Sequence, residues 1–238
     1  LIEVDYEPLP SVSSPYEAAK PGAPKVWEES QDNICFVHLV GDKQATDAAM
    51  ASAAHIVKGR LPVNRSAHAT MEPRGAIGDY DSARDFWTLY TAVHYPWQVR
   101  EELCNKIFRI PESKMRVVCG DMGGSFGLRG GTYQEVVLVL WASKRVGRPV
   151  KWVCERSEGF MSDHHGRDVH WEGEIALDEN LKFLAVRAQS WTNVGAYLAS
   201  KGTLPPVANL GTMAGTYHIP AMHCDVSGVY TNTNPICP

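Results

Sequence analysis

No stretch of this sequence stays apolar long enough to cross a membrane. Its first residues, Leu1-Ile-Glu-Val-Asp, show neither the basic cluster nor the apolar run of a leader. Positive charge is also scarce. Lys and Arg total 23 against 27 Asp and Glu, for a formal charge of -4 and a pI near 6.1, so no basic footprint for nucleic acid exists. The six cysteines, Cys35, Cys104, Cys119, Cys154, Cys224 and Cys237, never form a Cys-x-x-Cys pair. That argues against an iron–sulfur or structural zinc site within the chain and favours reduced, mostly buried thiols. These absences together predict a soluble, cytoplasmic protein.

What is present is ordinary globular material. The 238 residues are 44% hydrophobic and 21% charged, enough for one large domain or two small ones around a real core. The strongest local signal is Gly120–Gly131, which reads Gly-Asp-Met-Gly-Gly-Ser-Phe-Gly-Leu-Arg-Gly-Gly. Met115–Cys119 before it is short, apolar and β-branched, and Tyr133–Gly147 after it has helical spacing, so the glycines predict a strand-to-helix turn. Glycine permits positive φ and close approach to the main chain, and the first turn of the helix adds unpaired N–H groups. An anionic or oxygen-bearing ligand fits such a turn; so does a connection that only redirects the chain. A Walker loop is excluded because no Gly-Lys-Ser or Gly-Lys-Thr follows. The glycines also miss the G-x-G-x-x-G register of a dinucleotide site.

Along the chain, Leu1–Tyr6 alternates like the end of a strand, and Ser11–Ser30 reads as a surface linker rich in Pro, Ser and Glu. Strands are predicted at Ile34–Val40, His55–Leu61, Arg74–Tyr80, Asp85–Val93, Val150–Cys154 and His223–Tyr230, with Val150–Cys154 buried. Val169–Leu177 and Phe183–Val194 flank Asp178-Glu-Asn-Leu as a hairpin. Helices are predicted over Lys43–Ala54 with Asp42 as cap, from Pro96 to near Pro111, and over Tyr133–Gly147. Strands and helices mixed without strict βαβ alternation indicate an α+β fold, mixed sheets with packed helices.

Two clusters concentrate charged and imidazole side chains. Asp163-His164-His165 with Asp168 and His170 matches no zinc spacing, and a structural role is the better reading. Met71-Glu72-Pro73-Arg74 suits a buried Glu–Arg ion pair.

Gly-Gly-Ser-Phe-Gly-Leu-Arg resembles the Gly-Gly-x-Phe-Gly-x-Lys/Arg loop of the molybdenum-binding large subunit of the xanthine dehydrogenase, aldehyde oxidase and carbon monoxide dehydrogenase family. Val4-Asp-Tyr-Glu-Pro-Leu-Pro10, Met71-Glu-Pro-Arg-Gly75, Ile110-Pro-Glu-Ser-Lys-Met-Arg-Val117, Gly147-Arg-Pro-Val-Lys-Trp-Val153, Glu155-Arg-Ser-Glu158, His165-Gly-Arg-Asp168, Asn193-Val-Gly-Ala-Tyr197 and Tyr230-Thr-Asn-Thr233 are similar to that family's segments in the same order. The resemblance implies that residues 1–30 finish a preceding hammerhead-like domain and a linker. It implies that 31–238 form a first molybdopterin-binding domain, incomplete at its C-terminus. It further implies a molybdopterin cofactor with Mo, usually as the cytosine dinucleotide, and partner chains or domains carrying [2Fe-2S] centres and FAD.

The same resemblance names site residues. Val93-His94 stands where the family has Thr-Gln, whose amide donates to an oxygen on the metal, and an imidazole N–H can also donate. Gly124, Ser125, Phe126 and Gly127 would shape the substrate side of the metal, with Phe126 read as that wall, as a core anchor of the turn, or as both. Ser125 replaces a common glycine and would tighten the approach, since serine tolerates positive φ poorly. Arg129 would pair with a phosphate or a carboxylate, or extend into solvent. Gly130 replaces the glutamate of purine-oxidising relatives, which argues against xanthine as substrate.

The implied activity is hydroxylation of an aldehyde or N-heterocycle, or oxidation of CO, with oxygen from water, by a molybdopterin-dependent oxidoreductase. The chain would act within a larger assembly and be inactive alone. The family's glutamate base lies further towards the C-terminus, so no catalytic residue and no metal ligand is assigned here. The competing expectation is a non-catalytic binding or assembly module that keeps the scaffold with a degenerate cofactor site.

Overall fold

The computed structural model describes residues 2–237. Its elements run α1 (Pro15–Ala18), β1 (Ile34–Gly41), α2 (Lys43–Ser52), β2 (His55–Ser66), β3 (Gly75–Asp81), β4 (Phe86–Thr91), α3 (Pro96–Glu101) and β5 (Met115–Val118). They continue with α4 (Gln134–Val146), β6 (Val150–Val153), α5 (Arg156–Ser162), β7 (Gly166–Leu177), β8 (Phe183–Gly195), α6 (Leu204–Val207) and β9 (Ala221–Tyr230). This is a mixture of strands and helices with two mixed sheets, as the α+β reading requires. Two units divide it. Residues 2–66, Gly166–Leu198 and Gly202–Ile236 form the first; Ala67–His165, Ala199–Lys201 and Cys237 belong to the second.

The first unit is a sheet ordered β1-β9-β8-β7-β2, antiparallel except where β8 meets β9. The β7–β8 hairpin closes on Asp178, whose carboxylate accepts from the N–H groups of Asn180 at 2.8 Å and Lys182 at 2.9 Å. Asp42 caps α2 by accepting from Ala45 N–H at 2.9 Å. Met50 of α2 packs with Ala176 and Ala185, while Ala188, Cys224 and Val226 pack with Leu210. Ala185 and Ala188 are an odd number of residues apart, so alternation sends these two clusters to opposite faces of the sheet.

The second unit holds a sheet ordered β5-β4-β3-β6, parallel between β4 and β5 and antiparallel elsewhere. Helix α4 lies on β3. Gly78 makes this possible, because a Cβ there would sit 2.5 Å from the Val139 carbonyl carbon and 2.6 Å from Leu140 N. Leu89, Leu103 and Leu140 are fully buried in the resulting core. Burying a leucine completely contributes roughly 1.5–3 kcal/mol. Gly147 ends α4 in the left-handed region at φ 69°, its N–H donating to Ser143 O.

Several sequence expectations need correction. Residues 2–6 form no strand despite their alternation; Ile2, Val4 and Tyr6 are exposed, and Leu1 lies outside the described residues. The Ser11–Ser30 stretch is more than a linker, since α1 buries Pro15 and Ala18 and Asn33 ties it down through the carbonyls of Ala18 and Pro24. The helix expected from Pro96 to near Pro111 is α-helical only to Glu101 and then widens into a π-helix over Glu102–Phe108, ending where Arg109 turns to φ 52°. Strand β6 buries neither face fully and alternates between half-buried and exposed positions. The six cysteines are free thiols, four of them buried.

Candidate functional site

Because β4 and β5 are parallel, their C-terminal ends open at one end of the second unit's sheet. His94 follows β4 and the glycine stretch follows β5, so strand direction alone gathers them. Two contacts hold the gathering. Val93 N–H donates to Cys119 Sγ at 3.5 Å, and His94 N–H donates to Arg129 O at 3.0 Å. The His94 ring is half-buried, lies edge-on to Tyr95 with centroids 5.7 Å apart, and has no hydrogen-bond partner at either nitrogen among the described residues.

The glycine stretch is not spliced directly onto a helix as its sequence suggests. A 3-10 turn, Leu128–Gly130, and residues 131–133 separate the loop from α4, so the loop's amides belong to the loop and not to a helix N-terminus. Positive φ falls on Gly124 at 102°, Phe126 at 54° and Gly127 at 104°. The left-handed region costs a non-glycine residue of the order of 1–3 kcal/mol. Phe126 bears that strain with its side chain 76% exposed, which corrects the reading of it as a core anchor.

Ser125 also departs from expectation. It takes no positive φ, and its hydroxyl is turned inward to accept from Arg129 N–H at 3.2 Å while its carbonyl accepts from Leu128 N–H at 3.0 Å. The loop's main-chain N–H groups therefore fall into two sets. Gly123, Leu128, Arg129 and Gly130 donate to protein acceptors. The four amides between them, of Gly124, Ser125, Phe126 and Gly127, meet no acceptor among the described residues.

Arg129 is neither solvated nor open to a ligand along its length. Its side chain is 1% exposed; Nε donates to Gly124 O at 2.8 Å, and Nη2 donates to Glu72 O at 2.8 Å and Glu72 Oε2 at 2.9 Å. The ion pair expected inside Met71-Glu72-Pro73-Arg74 is therefore redistributed. Glu72 takes Arg129, and buried Arg74 takes Glu135 at 2.9 Å, Asp163 at 2.6 Å and the face of Tyr133 at 3.8 Å. Burial alone would lower the pKa of Arg74, but the hydrogen bonds it donates to Glu135 and Asp163 hold it above the ordinary arginine range.

His164 stacks on Tyr133 with centroids 4.3 Å apart, and no group of three or more potential metal ligands is assembled among the described residues. Sequence reasoning missed Glu72, Thr70 and Arg156 as parts of the site. Thr70 Oγ1 donates to Glu72 O at 2.7 Å, and Arg156 Nη2 donates to the carbonyls of Thr70 at 2.5 Å and Met71 at 3.2 Å. The available signals were Glu72 inside Met71-Glu-Pro-Arg-Gly75 and Arg156 inside Glu155-Arg-Ser-Glu158, two segments singled out for other reasons.

Comparison with known proteins settles the relationship. The model of the molybdopterin cofactor-binding domain matches residues 26–237. The chain belongs to that family. Over 98% of its length it is 35% identical to the carbon monoxide dehydrogenase large chain of Hydrogenophaga pseudoflava, of which it covers 31%. It is 30% identical over 99% of its length to the 6-hydroxypseudooxynicotine dehydrogenase complex subunit gamma of Paenarthrobacter nicotinovorans, covering 29% of that protein.

Among solved structures, Cu,Mo-CO dehydrogenase matches with a TM-score of 0.91 at 31% identity, over 99% of this chain and 31% of the other. Quinoline 2-oxidoreductase from Pseudomonas putida 86 matches at 0.90 and 30%, over 99% and 30%. The chain thus spans about a third of the length of each of these four relatives. For the described residues, no helix is long and apolar enough to cross a membrane.

Proposed function

We propose that the chain supplies one wall of a molybdopterin site in the large subunit of a molybdenum hydroxylase, with residues 31–238 as the cofactor-binding part and 1–30 leading out of a preceding domain. The observation that carries this reading is the run of four unpaired amides at Gly124–Gly127 beside an exposed, strained Phe126. Such a run is a set of hydrogen-bond donors with no internal use, and it suits an oxygen-rich anionic group. Strain of this kind concentrates where a ligand is gripped. When bound, the molybdenum group supplies two-electron redox chemistry in which the oxygen added to substrate comes from water.

The chain's own residues bind and orient. Gly124, Ser125, Phe126 and Gly127 present main-chain N–H donors, and the exposed Phe126 ring offers an apolar surface to a small substrate. His94 has a free imidazole at the same sheet end and takes the donor role of a side-chain amide. Arg129 acts from beneath, keeping the loop in place. Relatives named for carbon monoxide, nicotine, quinoline and aldehyde substrates set the range: CO, an aldehyde or an N-heterocycle. The cytosine dinucleotide form of the cofactor, and partner subunits carrying [2Fe-2S] centres and FAD, belong to the same proposal.

Elemental analysis of the assembled enzyme tests it, with and without His94→Gln. The expected result is stoichiometric molybdenum that falls on His94→Gln, as an adapted site demands. Molybdenum absent from the wild-type assembly refutes the reading. A gain on His94→Gln replaces it with the competing one, a degenerate site on a retained scaffold.

A further inference from the structure

Glu72 touches the glycine loop at both ends, yet the proposed cofactor role leaves it unused. Its Oε2 accepts from Gly123 N–H at 2.7 Å, where the loop begins, and from Arg129 Nη2 at 2.9 Å, where the loop closes. Its main chain repeats both contacts: Glu72 N–H donates to Gly123 O at 3.2 Å, and Glu72 O accepts from Arg129 Nη2 at 2.8 Å. Arg129 Nε completes the circuit on Gly124 O at 2.8 Å. The segment bearing Glu72 is itself pinned by Thr70 and Arg156. Gly123 packs so closely on Glu72 that a side chain there would collide with the Glu72 Cβ.

A loop this rich in glycine has many shapes open to it, and the observed one is locally unfavourable because Phe126 sits in the left-handed region. Something outside the loop must over-determine that shape. Charge-assisted hydrogen bonds to both ends from one carboxylate do so, and they absorb the Gly123 amide and the Arg129 guanidinium without touching the four amides between. We propose that Glu72 is a positioning residue for this site: it clasps Gly123 and Arg129 so that the amides of Gly124–Gly127 stay free and outward, and it touches no cofactor itself. The inference rests on reading the loop as a cofactor wall, but the clasp is measured separately.

The test compares Glu72→Gln, which keeps an acceptor oxygen and loses the charge, with Glu72→Ala, which loses both. Amide hydrogen exchange in the full chain reads Gly123, Leu128, Arg129 and Gly130, and chymotryptic cleavage after Phe126 reads the loop's shape. Molybdenum content of the assembled enzyme is the second readout. In Glu72→Ala, exchange at those four amides rises about tenfold or more while the β3 and β4 amides are unchanged; in Glu72→Gln it stays within about threefold of wild type.

Molybdenum content follows the same order, with Gln rescuing what Ala loses. Should Glu72→Ala not fold, Arg129→Lys carries the test, because a lysine cannot reach Gly124 O and Glu72 together, and the same amides loosen. Exchange and cleavage unchanged in Glu72→Ala or Arg129→Lys overturn the clasp. A loosened loop with full molybdenum leaves the clasp standing and overturns its service to the cofactor.

Discussion

Acid should weaken the second unit through one histidine. His164 is 4% exposed, stacked on Tyr133 with rings 25° from parallel, and its Nδ1 has no hydrogen-bond partner among the described residues. Burial, then the nearby charge of Arg74, pull its pKa from 6.5 down to about 4; Glu135 opposes the shift, and His68 and His165 add to it. The folded value lies below the unfolded one, so as pH falls the unfolded chain takes the proton first. The stability tied to a neutral His164 is therefore complete above about pH 6.5 and drains between there and about pH 4. From these values the loss is about 2 kcal/mol at pH 5 and about 3 kcal/mol by pH 4.

Replacement by phenylalanine keeps a flat ring against Tyr133. It also leaves the main-chain contacts of residue 164, to Tyr133 Oη and to His68 Nδ1, in place. Urea unfolding followed by tryptophan fluorescence at pH 7 and pH 5 then compares wild type with His164→Phe. Between the two pH values wild type should lose about 2 kcal/mol more than the variant, roughly one molar in urea midpoint. Asp47, Asp85 and Glu174, whose pKa values are lowered by hydrogen bonds to Lys43, Tyr80 and Lys58 respectively, weaken both proteins alike and cancel in the difference. Identical pH dependence in the two proteins would refute the reasoning.

Two further substitutions probe the frame that carries the loop. Gly78→Ala forces a methyl group into the α4 backbone, so α4 must shift from β3. A loss of about 1–3 kcal/mol with unchanged denaturant slope is expected, and an unaffected midpoint would show that the close approach is not needed. Arg74→Met strips the countercharge from Glu135 and Asp163, each mostly buried. About 3–5 kcal/mol should be lost in calorimetry, and retention of wild-type melting would mean those carboxylates find water instead.

Elements whose cause lies within a few residues were readable before any coordinates. Asp42 announces α2, Asp178 closes the β7–β8 hairpin, and Gly147 stops α4, because a cap, a turn and a left-handed residue act on their own neighbours. Residues 2–6 misled for the converse reason. Alternation prepares a strand, but a strand needs an adjacent one to pair with, and no local pattern supplies it. The widening of the helix after Glu101 into a π-turn was equally hidden, since the same apolar spacing serves both forms.

The loop marks the limit most clearly. Spacing and glycine content located it, and strand order brought His94 to it, but its internal shape inverted the expectation. With Ser125 Oγ and O both engaged by the N–H groups of Arg129 and Leu128, Ser125 is held out of the left-handed region. The reversal must then be made by its neighbours, and between Gly124 and Gly127 only Phe126 remains. A bulky residue is the least suited to that conformation and would relax if it could. What prevents relaxation is Glu72, 51 residues from Gly123 along the chain, through contacts that no motif encodes. Composition could show that this turn has unusual freedom; only the long-range carboxylate decides which of its shapes is kept, and hence which amides face outward.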